Sequence, residues 1–168
     1  AGIAIRINTA LSGMVGCSPE LVRAYVAALD ADIVPVVRRL GSIGAADIGL
    51  MSQVATALAG EGQVFHRGVL RSAADALRAA GLTPLVFRLK DALSAVSTNA
   101  LTIASAGATL IDAAQTVRVA MATGSSAAAA LRASPEPWRV AVRIGSPREA
   151  AAGTVLTAVA EAFPWAPA

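Results

Sequence analysis

The chain has 168 residues, 55% of them hydrophobic and only 15% charged, which is ample apolar material for one buried core. A formal net charge of +3 with 4% aromatics argues against a nucleic-acid surface, since Arg38-Arg39 and the group Arg139, Arg143 and Arg148 are sparse and lack interleaved aromatics. The most apolar stretch, Ala100 to Ala122, is interrupted by Asp112, Gln115 and Arg118, so no membrane span is expected. The first residues lack a basic segment ahead of an apolar core, so no signal peptide is expected, and the single Cys17 excludes an internal disulfide and points to a reducing, cytoplasmic setting.

Helices are expected almost throughout. Ser18-Pro19-Glu20 starts the first, with Ser18 as N-cap and Pro19 in the first turn, where its missing N–H costs nothing. Leu21, Val22, Tyr25, Val26 and Leu29 then repeat at helical spacing and define one buried face; this helix is expected to end in Ile33-Val34-Pro35-Val36-Val37. The Gly41 to Gly44 loop leads into a second helix from about Asp47 to Leu58. Asp47 suits the positive end of that helix dipole, and free amides there would suit a negative charge. Between Gly60 and Gly68, Gln63-Val64-Phe65-His66-Arg67 reads as a short extended excursion, with His66 as an exposed loop residue. Cys17 reads as a small packed hydrophobe. One His and one Cys give no basis for a metal site.

Ser72 with Asp75 forms a capping-box-like start, and Gly81 is the matching stop. After Pro84 a helical run is expected from about Phe87 to Ala122, broken near Ser97-Thr98-Asn99. Beyond Asn99 its apolar residues lie on nearly all sides, a pattern that belongs in the centre of a bundle. Gly124 is expected to end it, Ser125-Ser126 to begin a short alanine-rich helix, and Ser134-Pro135-Glu136-Pro137 to form a linker. Residues 138–144 alternate and read equally as a strand or an extended connection. Ser146-Pro147-Arg148-Glu149 caps a final helix to about Ala162. The class is all-α, with alanine as the best helix former allowing close helix packing.

The loop Gly41-Ser42-Ile43-Gly44-Ala45-Ala46-Asp47, closing on Gly60-Glu61-Gly62, carries the chemical interest. It is no phosphate loop, because no Gly-Lys-Ser/Thr follows, and no dinucleotide fingerprint is present. By itself it would be an ordinary glycine-rich lead into a helix. It stands in a longer series: Asn8-Thr9, Gly13, Gly16 through Val22, and Ile33 to Val37 precede it. Arg67-Gly68, Gly81, and Leu85 to Leu93 with Lys90-Asp91 follow. Together these resemble the aromatic amino acid ammonia-lyases, the histidine and phenylalanine ammonia-lyase family, most densely before residue 100.

The resemblance implies an elongated helical bundle like the central part of the ammonia-lyase/fumarase-like fold. It implies elimination of ammonia from an aromatic amino acid by a methylidene-imidazolone electrophile, with no external cofactor. In the family an Ala-Ser-Gly tripeptide builds that electrophile: the glycine nitrogen attacks the alanine carbonyl and the serine loses its hydroxyl as water. Ala45, Ala46 and Asp47 stand at the electrophile position, one residue short and without the serine, so the alternative expectation is a catalytically inactive relative or fragment acting as a scaffold, assembly or ligand-binding module. Ser97 is in register with an active-site asparagine, with Asn99 two residues later, and Gln53 stands where the family often has His or Tyr. These three are the expected substrate-binding residues. Val15 replaces a family serine, and Tyr25 does not match the catalytic tyrosine, which with the C-terminal arginine falls outside the chain. Family sites are assembled from several subunits of a tetramer, so a homo-oligomer or a complementary chain is implied. At about a third of the family's length, residues 1–168 read as a single partial domain, with segments 1–40, 41–62, 63–123 and 124–168.

Overall fold

The computed structural model describes residues 1–38, 40–43 and 45–162; Arg39 of the basic pair and Gly44 of the glycine-rich loop lie outside the described residues. The chain forms two compact units, Ala1–Ala108 and Thr109–Ala168.

The first unit contains helices α1 (Gly2–Leu11), α2 (Pro19–Asp30), α3 (Ile48–Leu58), α4 (Ala73–Ala79) and α5 (Asp91–Val96). It also holds strands β1 (Ile33–Pro35), β2 (Gln63–His66) and β3 (Val69–Ser72), and the start of α6 (Ala100–Ala130). Ser18 caps α2 by accepting the Leu21 N–H at 3.2 Å, and Ser72 caps α4 by accepting that of Asp75 at 3.1 Å. Leu21, Tyr25, Ile33, Met51, Val54 and Val64 are the largest fully buried apolar side chains of the core. Full burial of each stabilises the fold by roughly 1.5–3 kcal/mol.

Residues 33–37 depart from the helical expectation. The helix stops at Asp30, Asp32 adopts a left-handed φ of 54°, and Ile33-Val34-Pro35 forms the edge of a three-stranded antiparallel sheet of order β1-β2-β3. The β-branched pair Ile33-Val34 favours the pleated conformation, and Pro35 is acceptable there because the strand is an edge. Ile33 opposes His66, and Phe65 opposes Leu70.

His66 is therefore no exposed loop residue. It is 6% exposed, because alternation along β2 turns Val64 and His66 to the same buried face. Cys17 is half-buried against the core.

The break at residues 97–99 separates α5 from α6, where the Asn99 carbonyl accepts the Ile103 N–H at 2.9 Å. Gly124, by contrast, does not end α6, which continues to Ala130. An interior glycine costs about 1 kcal/mol relative to alanine, and the run Ala127–Ala130 favours continuation. Ser125 and Ser126 turn their hydroxyls back to the carbonyls of Met121 and Ala122, at 2.8 and 2.9 Å, rather than capping a new helix.

In the second unit, α7 (Glu136–Ile144) and α8 (Pro147–Ala162) form a helical hairpin. Residues 138–144 are thus helical, neither strand nor extended connection. Pro137 fits the first turn, and Arg139 and Arg143 both reach back to Glu136, at 3.7 and 3.2 Å, a pairing that only helical spacing brings together. A Cβ at Gly153 would lie 2.7 Å from the Trp138 carbonyl oxygen, so the absence of a side chain sets how closely α8 approaches α7. Leu110, Ile111, Val117 and Val119 of α6 stay exposed. No helix among the described residues is long and apolar enough to cross a membrane.

Candidate functional site

The break between α5 and α6 forms one wall of a cavity of about 550 Å³. Ser97, Thr98 and Asn99 come from the break itself, Lys90 and Leu93 from the approach to it and from α5, and Ile5, Arg6 and Thr9 from α1. The structure thus brings Ser97 and Asn99 to one site.

Asp47 fixes the glycine-rich loop to that wall. It is 1% exposed. Its backbone N–H donates to the Thr98 carbonyl at 2.7 Å. Its carboxylate accepts the Thr102 N–H at 2.8 Å and the Thr102 hydroxyl at 2.6 Å. Thr102 lies in the first turn of α6, whose amides lack partners within the helix. The carboxylate of Asp47 therefore serves the N-terminus of α6 and makes no side-chain cap on its own helix α3, where the sequence placed its electrostatic role.

The alanines beside it do not fit the family electrophile. Ala46 holds a left-handed φ of 56° and has no hydroxyl to eliminate. The nitrogen two residues beyond Ala45, where the family's attacking glycine nitrogen stands, belongs to Asp47 and is committed to the Thr98 carbonyl.

Gln53 sits elsewhere. Its Oε1 accepts the Arg38 N–H at 3.0 Å and its Nε2 donates to the Gly49 carbonyl at 3.0 Å, beside a separate cavity of about 240 Å³. Its amide therefore ties the segment after β1 to α3, away from Ser97 and Asn99.

Three buried polar residues of the first unit, assigned no part in the site from the sequence, stand out. Arg6 is 2% exposed and donates through Nη2 to the Ser94 carbonyl; an arginine among Gly2, Ile3, Ala4, Ile5 and Ile7 was the available signal. Tyr25 reaches the Ala95 carbonyl at 3.4 Å. Burial pushes its hydroxyl up to about 12, against the lowering influence of the Arg6 guanidinium, so it is a neutral phenol near pH 7. Asp91 accepts the Ser18 N–H at 2.7 Å, the Ser18 hydroxyl at 2.8 Å and the Arg88 N–H at 3.0 Å. Burial pushes this carboxyl upward, but the Ser18 and Arg88 amides and the Ser18 hydroxyl outweigh it and hold Asp91 below the usual carboxylate range. Among the described residues no group of three or more His, Cys, Asp or Glu side chains is placed to hold a metal ion.

The chain matches the family model described as aromatic amino acid lyase over residues 1–156. It is 38% identical over 104 residues to the histidine ammonia-lyase of Geobacillus sp. (strain WCH70), a match covering 61% of this chain and 20% of that protein. It is 33% identical over 96 residues to the probable histidine ammonia-lyase of Thermoplasma acidophilum, covering 56% of this chain and 19% of the relative. The crystal structure of histidine ammonia-lyase from Trypanosoma cruzi superposes with a TM-score of 0.85 at 25% identity, covering 94% of this chain and 32% of that one. For phenylalanine ammonia-lyase from Rhodosporidium toruloides the TM-score is 0.88 at 20% identity, covering 99% and 27%, a likeness of fold alone. The helical-bundle fold is therefore the one expected. The chain spans about a fifth of the length of the curated relatives it matches.

Proposed function

Because this chain belongs to the aromatic amino acid lyase family yet carries Ala45-Ala46 where the electrophile is built, we propose that it is an ammonia-lyase-like protein that binds a ligand without eliminating ammonia. The observation that carries the reading is the pair of alanines joined to a pinned Asp47: no hydroxyl can leave, and the Asp47 nitrogen is already hydrogen-bonded. In this reading Asp47 keeps the loop against the α6 N-terminus, and Ser97 and Asn99 offer hydrogen bonds to what enters the cavity.

The test is the intact mass of the purified chain together with its ultraviolet difference spectrum. A mass equal to the literal sequence, with no added chromophore, supports a binding role. The competing reading is a carbon–nitrogen lyase acting on histidine, phenylalanine or tyrosine through an internal methylidene-imidazolone, and the family match over residues 1–156 is the observation in its favour. It requires the chromophore's absorbance and a mass that this sequence, with no serine to dehydrate at residues 45–47, does not give.

The exposed apolar side chains Leu110, Ile111, Val117 and Val119, spread around α6, support association with further copies, as a homo-oligomer, or with a complementary chain, since exposed apolar surface marks contact sites. Sedimentation reads this directly: a clean monomer at high concentration counts against it. A cytoplasmic setting, suited to the single Cys17, belongs to the same reading.

A further inference from the structure

The sheet of the first unit has two edges, and they differ. The Val36 N–H donates to the Gln63 carbonyl at 3.0 Å and the Arg67 N–H to the Asp32 carbonyl at 3.2 Å, so the odd-numbered residues of β2 serve β1. Val64 and His66 then serve β3, where they oppose Arg71 and Val69. Backbone groups along an antiparallel strand alternate between its two sides. The N–H and C=O of Leu70 therefore point away from β2, along the open edge of the sheet. On β1 the same alternation turns residue 35 outward, and Pro35 has no N–H to offer. One edge is blunted by proline, and the other is a template for a further strand.

The side chains at the open edge define what that strand would carry. Val34, Phe65 and Leu70 stand in register across the three strands, on the face away from Val64 and His66, and all three are exposed. They form an apolar row that stops at the edge. Arg71 lies on the opposite face of β3, exposed and in no salt bridge among the described residues. It influences the Asp75 carboxylate, but Arg78 and the Ser72 hydroxyl already hold that group, each at 2.7 Å.

A second copy of the chain suits this pattern poorly. Pairing two β3 strands about Leu70 would prolong the apolar row, yet it would set two Arg71 side chains on one face of the joined sheet, and like charges on neighbouring strands are unfavourable. The charge at the edge is complementary to carboxylates instead.

We propose that β3 takes up an extended strand of a partner protein in which apolar and acidic residues alternate. The strand runs antiparallel to β3, as in the rest of the sheet, with its main chain paired to Leu70. Its apolar side chains prolong the row of Val34, Phe65 and Leu70, and its carboxylates lie beside Arg71. Main-chain pairing supplies affinity in this mode of recognition, and the alternate side chains supply specificity.

The experiment is a fluorescence-anisotropy titration of the full 168-residue chain into three labelled peptides of one length. The first alternates glutamate and valine, the second alternates lysine and valine, and the third is the first with its valine nitrogens methylated. Saturable binding of the glutamate peptide is expected, with the lysine and methylated peptides at least tenfold weaker. Leu70→Pro removes an outward N–H and leaves the ladder with β2 in place; it is expected to weaken binding at least tenfold with an unchanged circular dichroism spectrum. Arg71→Glu, at an exposed position, is expected to weaken binding of the glutamate peptide at least fivefold, and it carries the test if the proline variant is not native. Absence of saturable binding, equal binding of the lysine or methylated peptide, or no effect of Arg71→Glu overturns the proposal. So does a chain that binds no peptide but sediments as a dimer that Leu70→Pro dissociates, which assigns the edge to a second copy.

Discussion

The two units of the chain are held by different means. Residues 1–108 bury Leu21, Tyr25, Met51, Val54 and Val64 around a small sheet, and their buried carboxylates Asp47 and Asp91 are both hydrogen-bonded. In residues 109–168 the buried positions among the described residues are Ser125, Gly153 and Ala160, and the large side chains of α6 face outward. Apolar content is high in both, so composition does not make the difference. A core of large side chains gains from burial within the chain, whereas an alanine-rich hairpin gains from close backbone approach and leaves its larger residues for another surface.

The sharpest way to break this comparison is truncation of one large side chain in each unit. Met51→Ala is expected to lower the stability of the first unit by about 2–5 kcal/mol, read from urea denaturation. Leu110→Ala, on exposed α6 surface, is expected to stay within about 0.5 kcal/mol in the monomer. A comparable loss at both positions would mean that the second unit has a core of its own.

Gly153→Ala tests the tight point of the second unit. Its new Cβ would press on the Trp138 carbonyl and lie 3.1 Å from Cγ2 of Val142, and backbone does not yield as a side-chain tip does. A destabilisation of about 1–3 kcal/mol is expected, seen as earlier proteolysis within residues 136–162 with the first unit intact.

Asp91→Ala probes the polar side of the first unit. Ser18 and Arg88 would lose an acceptor in a buried setting, with an expected cost of about 1–3 kcal/mol. The native carboxyl is held below its ordinary value, so its stabilising contribution is present above the unfolded value of about 3.9. That contribution is lost as pH falls through the lower folded value. The urea midpoint of the wild-type chain should therefore drop below about pH 4 more steeply than that of Asp91→Asn; parallel profiles would refute the assignment.

The smallest effect concerns backbone strain. Leu89 is fully exposed with a left-handed φ of 47°, a conformation that costs an L-residue roughly 1–2 kcal/mol. Glycine removes that cost but adds flexibility to the unfolded chain worth about 0.5–1 kcal/mol. Leu89→Gly should raise stability by about 0.5 kcal/mol, measured as a small rise in Tm.

What was legible in the sequence was local. Ser18 and Ser72 announce their helices because a cap is read within three or four residues, and the break at 97–99 is written in three successive polar residues. Residues 33–35 form a strand through pairing with β2, some thirty positions on, and local helical patterning does not encode that. Residues 138–144 carry alternation and helical spacing together, and the Glu136–Arg143 pairing goes with the helix. Gly124 punctuates weakly because its alanine-rich context outweighs it. Ser97 and Asn99, two positions apart in the chain, line one cavity, and none of the described residues of the 41–47 loop does. The partner of Asp47 lies 55 residues away in Thr102, and the environment of Arg6 depends on how α1 meets α5. Such encounters belong to tertiary structure.

The Asp47 clasp has a consequence for chain continuity. Leu40 and Ile43 stand exposed just ahead of it, an accessible target for a protease, while Asp47 holds Thr98 and Thr102, and α3 behind it is anchored by Met51, Val54 and Leu58. The two pieces left by a single cut in that loop would stay associated without a covalent link. This position therefore suits a split protein reconstituted from two separately made halves.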